Sequence, residues 1–238
     1  PLSFFESDHG ILDAELGFQI DVDELERSLS ATYSLSYEGE QLTLTASAAY
    51  SQVDNLAELG ETDAGVPVLS QLDKQASVTT LDVVAGYQIN EQWTVNASVE
   101  HFQYDDAFKS SYGIAPVEGR AGLELNWTGE TIEINVSTTW FGERNLTDYG
   151  YDGYNIAGDN SSKKPLVAAS FFSSNIKGKY KISDNAAVYL GISNIFEYTQ
   201  IEQGDSPLFF DADGGYDVAY IYGPLHGREF YAGFEIKL

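Results

Sequence analysis

Alternation with period two governs this chain. From Ser28 to Tyr37, Leu29, Ala31, Tyr33, Leu35 and Tyr37 would fall on one side of a strand, and Ser28, Ser30, Thr32, Ser34 and Ser36 on the other. After Glu38-Gly39-Glu40 the pattern resumes, with Leu42, Leu44, Ala46, Ala48 and Tyr50 opposed to Thr43, Thr45 and Ser47. Successive side chains leave a strand on opposite sides, so this reads as a hairpin with one apolar and one hydroxyl face. Helical periodicity is nearly missing. About ten strands are predicted, near 10–20, 26–37, 40–51, 76–89, 91–104, 117–127, 130–143, 168–182, 186–196 and 227–238.

Several of these exceed ten residues, whereas strands in soluble sheets usually stop at about five or six. A tilted strand crossing a bilayer needs roughly nine to eleven. The connections carry a second signal. Short turns at Glu38-Gly39-Glu40, Asn90-Glu91, Thr128-Gly129 and Ser183-Asp184-Asn185 alternate with long connections near 52–75, 105–116, 145–167 and 197–226. An outer-membrane barrel has this asymmetry, with short periplasmic turns and long outer loops. The short connection near 21–25 is the one exception to the parity.

The last strand places Phe230, Ala232, Phe234, Ile236 and Leu238 on one face and Glu229, Tyr231, Gly233, Glu235 and Lys237 on the other. Charges at such spacing suit a wet lumen, not a packed core. Trp93 and Trp127 beside short turns, with Tyr50 and Trp140 beside long connections, would form two interfacial girdles. The competing reading is a soluble all-β protein with its apolar faces turned inward.

Composition narrows the partners. The 238 residues carry 37 acidic and 12 basic side chains, a net charge of -25. That excess excludes nucleic acid as the natural partner. With no Cys there is no disulfide framework or thiolate metal site. No apolar run approaches the roughly 18 residues of a transmembrane helix, which excludes only helical membrane proteins. Pro1-Leu2-Ser3 is not a signal peptide, so the expectation is a mature chain or a piece of a longer one.

The last third is the most distinctive. Leu190-Gly191-Ile192-Ser193-Asn194-Ile195-Phe196 is followed by Gly227-Arg228-Glu229-Phe230-Tyr231 and a strand running to Leu238. This resembles the carboxyl end of a TonB-dependent outer-membrane receptor, whose penultimate strand commonly reads Gly-Ile-x-Asn-Leu-Phe and whose last strand opens on Gly-Arg. "GYQINEQWTVNASVEHFQYDD" (86–106) and "WFGERNLTD" (140–148) have the same flavour. The resemblance implies a transmembrane antiparallel β-barrel, residues 1–238 being the carboxyl-terminal part of one with 22 strands. The family's plug domain and TonB-binding segment are missing from this sequence, and Leu238 stands where the family usually ends in an aromatic residue. The resemblance further implies uptake of a scarce ligand such as an iron chelate, cobalamin or glycan. The implied partners are outer-membrane lipid and lipopolysaccharide, the remaining strands and plug, and the TonB complex. A complete small pore or adhesion barrel is the alternative.

No catalytic constellation emerges, and neither an enzyme nor a resident cofactor is expected. His9, His101 and His226 are scattered, and no Gly-x-Ser-x-Gly occurs. Tyr149, Tyr151, Tyr154 and Asn155 lie in a connection rich in Tyr, Gly, Asp and Asn, and Phe209, Phe210 and Tyr216 in the next one. These are the candidate ligand contacts, since Tyr offers contact area at low entropic cost; the competing reading is a mobile loop. Asp211, Asp213 and Asp217 have the carboxylate spacing of a calcium loop, against an ordinary Asp-Gly turn. Lys177, Lys179 and Lys181 share the polar face, either as a rail for an anionic ligand or as partners of lumenal acids or a plug. Asn96, Asn126, Asn135, Asn145 and Asn160 begin Asn-x-Ser/Thr triplets, read as coincidental in a chain rich in Ser and Thr.

Overall fold

A computed structural model describes residues 19–61, 67–111, 116–149, 155–156, 159–163, 166–201, 209–210, 216–217 and 223–237. Nine strands form its main sheet: β1 (Arg27–Glu38), β2 (Leu42–Asp54), β3 (Ala76–Gln88), β4 (Trp93–Tyr104), β5 (Gly119–Thr128), β6 (Ile132–Phe141), β7 (Phe171–Ser183), β8 (Ala186–Ser193) and β9 (Glu229–Ile236). Their order in the sheet is their order in the chain, and each pairs antiparallel with its neighbour. Four short turns join them at one rim, and the long connections gather at the other, as the sequence parity required.

The register keeps the two faces separate across the sheet. One row runs Leu42, Tyr87, Val95, Leu125, Val136, Ile176, Ile192, Phe230. The adjacent row, one residue along each strand, runs Gln88, Thr94, Asn126, Asn135, Lys177, Gly191, Tyr231. A slip of one residue in any pair would send charges to the apolar side, so the alternation itself specifies the register.

Nothing covers the apolar face among the described residues. Leu35, Leu190, Phe230 and Phe234 are 67%, 67%, 73% and 74% exposed. The buried hydrophobics are Ala76, Leu146, Tyr149, Ala168, Phe171 and Ala187, none of them on that face. A water-soluble sandwich would bury these rows in a second layer, because soluble chains rarely expose so continuous an apolar patch. The exposed rows therefore set the soluble reading aside.

The sheet is open: β1 and β9 each pair on one side only among the described residues. The expected strand 10–20 lies outside the described residues except for Gln19 and Ile20. These pair in parallel with Val68 and Leu69 of Pro67–Gln71, which itself pairs with Ala57–Glu61 beyond the long-connection rim. They thus run toward the main sheet, whereas a hairpin partner of β1 would run away from it. Gln71 fixes this entry: its Oε1 accepts from the Asp23 and Glu24 amides at 3.1 and 3.0 Å, and its Nε2 donates to Glu24 O at 2.6 Å.

Candidate functional site

The polar face begins as a hydroxyl ladder. Ser30 meets Ser51 at 2.8 Å, Ser36 meets Thr45 at 3.0 Å, and Ser34 donates to Ser47 at 3.1 Å. Farther round, amides take over: Asn135 Nδ2 donates to Asn126 Oδ1 at 2.7 Å, and Asn126 Nδ2 to Glu124 Oε1 at 2.6 Å. Arg120 pairs with Glu100 and lies over the Phe102 ring at 5.8 Å.

The lysine triplet is already engaged. Lys179 Nζ lies 2.8 Å from Glu235 Oε2, Lys181 Nζ lies 2.7 Å from Glu133 Oε1, and Lys177 Nζ sits 4.7 Å from the Tyr189 ring centre. Register explains it, because Lys179 is directly opposite Glu133 and Tyr189, and Ala187 is paired to both Lys181 and Glu235. A polar recess of about 430 Å³ lies beside Lys179, Lys181 and Glu235 near the short-turn rim.

On β8 and β9, two tyrosines and two glycines exchange places. Tyr189 stands opposite Gly233, and Tyr231 opposite Gly191. Each tyrosine lies over the facing glycine, so that a Cβ at Gly191 would overlap the hydroxyl end of Tyr231 and one at Gly233 the hydroxyl end of Tyr189. The glycine of the Gly-Ile-x-Asn segment is thus a seat for an aromatic ring.

The asparagine of that segment is a staple. Asn194 has φ 50, a left-handed conformation that Asn tolerates better than most residues. Its Oδ1 accepts from the Tyr198 amide at 3.0 Å, while Nδ2 donates to Tyr198 O at 2.7 Å and to His226 O at 3.2 Å. Its own amide donates to Asn175 Oδ1 at 3.0 Å. Arg228 Nε donates to Ile195 O at 3.0 Å. The Asn and the Gly-Arg pair therefore join the end of β8 to the start of β9 across a long connection. Phe171 fills the space alongside, stacked on Phe141 at 4.8 Å and on Tyr198 at 4.9 Å.

The long-connection rim holds a second cluster. Helix α1 (Asp106–Ser111) is capped by Asp105, whose Oδ1 accepts from the Phe108 amide and whose Oδ2 accepts from Ser77 Oγ, both at 2.8 Å. Lys109 on this helix reaches Glu118 at 3.7 Å, Asp148 at 3.5 Å and the Tyr149 ring at 5.5 Å. Tyr149 ends the 3₁₀ turn Leu146–Tyr149 and donates to Glu118 Oε1 at 2.5 Å. Burial, followed by the Glu118 carboxylate, pushes its phenol pKa up.

The predicted ligand contacts that fall among the described residues lie on separate elements. Tyr149 is 5% exposed and belongs to the cluster just described. Asn155 lies on the two-residue strand Asn155–Ile156, which pairs with Asp159–Lys163. Phe209 and Phe210 pair with Asp217 and Tyr216 in a small hairpin. Tyr151, Tyr154, Asp211 and Asp213 lie outside the described residues, as does His9. Among the described residues no group of three or more His, Asp or Glu side chains is placed to hold a metal. His101 sits on the apolar face between Leu81 and Gly119, and His226 belongs to the Asn194 staple. Trp93 and Trp127 meet at 6.4 Å on the apolar face beside the short turns.

A single sheet with long strands, one bare apolar face and one ionic face is the wall of a membrane β-barrel. Solved structures agree. The chain is similar to the copper transporter OprC, with 17% identity and a TM-score of 0.63, over 90% of this chain and 31% of OprC. It is similar to the ferric enterobactin receptor PfeA from Pseudomonas aeruginosa, with 14% identity and a TM-score of 0.65, over 89% of this chain and 31% of PfeA. It is also similar to the siderophore receptor PirA from Acinetobacter baumannii, at 14% identity and a TM-score of 0.59, over 89% of this chain and 32% of that one. These neighbours are TonB-dependent receptors. The chain shares the fold of their barrels and spans about a third of their length. No family model matches the chain, and no curated protein matches it in sequence.

Proposed function

We propose that this chain forms part of the wall and outer connections of a TonB-dependent receptor in a Gram-negative outer membrane, serving uptake of a scarce ligand. The observation that carries this reading is the nine-stranded sheet with a bare apolar face and an ionic opposite face, matched across nearly the whole chain to receptor barrels. The apolar face meets lipid, with lipopolysaccharide on the outer side. The ionic face lines the lumen and contacts a plug domain, and the plug engages the TonB complex. The candidate ligands are iron chelates, cobalamin and glycans, and the neighbours' names include copper and ferric enterobactin.

The free edges support a larger barrel. β1 and β9 both run from the long-connection rim to the short-turn rim, so pairing them directly would be parallel. An all-antiparallel barrel then needs an odd number of further strands between them. A barrel of about 22 strands supplies 13 beyond these nine, which meets the condition. The wall does no covalent chemistry in this reading: it excludes lipid from the lumen, holds the plug and carries the outer connections. Tyr151, Tyr154, Asn155, Phe209, Phe210 and Tyr216 remain the proposed ligand contacts, whereas Tyr149, buried against Glu118 and Lys109, serves the packing of the rim. Asp211, Asp213 and Asp217 are a weaker calcium proposal.

The Cys-free sequence allows a direct test. Single cysteines at Leu44, Ala46 and Ala48 should resist water-soluble maleimides in intact membranes, and those at Thr45 and Ser47 should react. Equal reactivity along β2, or a protein soluble without detergent, overturns the membrane assignment. Deleting the protein should abolish energised uptake of one ligand class, as should deleting TonB. Uptake that persists without TonB contradicts the receptor reading.

A further inference from the structure

The lysines of the polar face are gathered in one place. Lys177, Lys179, Lys181 and Lys237 are four of the 12 basic residues in a chain with 37 acids. They stand on β7 and just past β9, from mid-wall to the short-turn rim. The Lys237 amide donates to Asn185 O at 2.9 Å, which extends the β9 ladder and sets this side chain on the same face as Glu235. Glu235 and Glu133 neutralise Lys179 and Lys181. Lys177 and Lys237 have no ion-pair partner among the described residues. Glu130 and Asp184 border the recess at the rim but pair with neither lysine. Two ammonium groups are thus unmatched on the wall of a strongly acidic chain.

The patch is also firmly held. Tyr189 and Tyr231 stand beside the lysines, each lying over its facing glycine. The two ion pairs fix Lys179 and Lys181. Recesses of about 430 Å³ and 380 Å³ open on either side of Lys179, the first bordered by Lys237 and the second by Lys177. Seated tyrosines with recesses between fixed polar groups are what protein surfaces use to grip one another, because little side-chain freedom is lost on contact. The polar side of β1–β3 offers no such grip. It carries no lysine, arginine or aromatic ring, and Ser and Thr seldom anchor an interface. Position points the same way. The patch lies away from the long connections where a ligand from outside is first met, so it suits an occupant resident in the lumen.

We propose that this patch seats an acidic segment of the plug domain, with carboxylates of that segment paired to Lys177 and Lys237. The proposal rests on the receptor reading above and adds which sector of the wall is gripped and the charge of what grips it. A basic segment would face two unmatched ammonium groups, and burying these unpaired is costly.

The test is zero-length carbodiimide crosslinking of outer membranes that contain the protein and any chains that accompany it. The reagent joins an amine to a carboxylate only where the two are in contact. After digestion, mass spectrometry should find Lys177 or Lys237 joined to an Asp or Glu of a plug peptide. Crosslinks confined to wall acids such as Glu133 and Glu235, joined to lipopolysaccharide, or missing altogether overturn the proposal. A second measurement is the urea concentration at which the protein begins to conduct in planar bilayers. Lys177→Glu combined with Lys237→Glu should lower it. Lys177→Arg combined with Lys237→Arg should leave it unchanged, as should Thr45→Glu on the polar side of β2. An unchanged threshold in the charge-reversed protein also overturns the proposal. Failure of the receptor reading has separate signs: a wild type that conducts freely without urea, or one that stays in solution without detergent.

Discussion

Gly191→Ala tests the aromatic exchange between β8 and β9. The new methyl would overlap the hydroxyl end of Tyr231, so the ring must tilt off the facing strand. Overpacking of this kind costs typically about 1–3 kcal/mol. Loss of the tilted contact with Tyr189, whose ring centre lies 6.4 Å away, adds roughly 0.5–1.5 kcal/mol. Against this, alanine is intrinsically better than glycine inside a strand by about 0.5–1 kcal/mol. The balance is a loss of roughly 0.5–4 kcal/mol. In a Tyr231→Ala background the clash is gone, and the same Gly191→Ala change should be neutral or stabilising. Gly178→Ala, facing open space, should likewise cost nothing. Equilibrium urea unfolding in phospholipid vesicles, followed by the fluorescence of the chain's three tryptophans, reads the wild type and all four variants. An equal cost for Gly191→Ala with and without the Tyr231 ring would refute the ring-seat explanation.

Three further outcomes are expected. Asn194→Ala should destabilise by roughly 2–4 kcal/mol, because it removes the side-chain bonds to Tyr198 and His226 and leaves alanine at φ 50; Asn194→Gly should recover only the backbone part, as read by the unfolding midpoint. Phe171→Ala, which empties the slot between Phe141 and Tyr198, should cost about 3–5 kcal/mol and increase protease cutting in the long connections. Tyr149→Phe should cost about 1–3 kcal/mol by removing its hydrogen bond to the Glu118 carboxylate, which keeps Lys109 at 3.7 Å. Because the folded state raises the Tyr149 pKa, its contribution is intact below the ordinary tyrosine range near ~10 and is lost as pH climbs above it. Alkaline unfolding should therefore be less steep in Tyr149→Phe.

The wall was legible because period-two alternation states both face and register: Leu42 through Phe230 and Gln88 through Tyr231 are single rows in the structure because the sequence alternates in every strand. The short turns were legible from Gly, Asp and Asn at the right intervals. Strand 10–20 alternates as well as any other, yet Gln19 and Ile20 pair outside the main sheet, because alternation says that a segment is extended but not which edge it joins. The closing motif was visible as a pattern, but its physical content was not. That Gly191 seats a ring on the neighbouring strand depends on a pairing some forty residues distant, and that Asn194 reaches His226 depends on the fold of a connection without periodicity. Likewise, the Lys179 and Lys181 pairs with Glu235 and Glu133 follow only once register is known.

The order of strands in the sheet has a kinetic meaning. Since each of the nine pairs with its neighbour in the chain, no pairing has to wait for a strand beyond the next one. Four of the eight pairings are closed by short turns, and these hairpins can zip locally. Even the long connection before β9 adds little, because each doubling of a loop costs only about 0.6 kcal/mol to close. The sheet can thus grow by successive hairpins, with a single hydrogen-bonding edge advancing at each step, and the Asn194 staple and the two seated tyrosines are the contacts that register the last strand once it arrives.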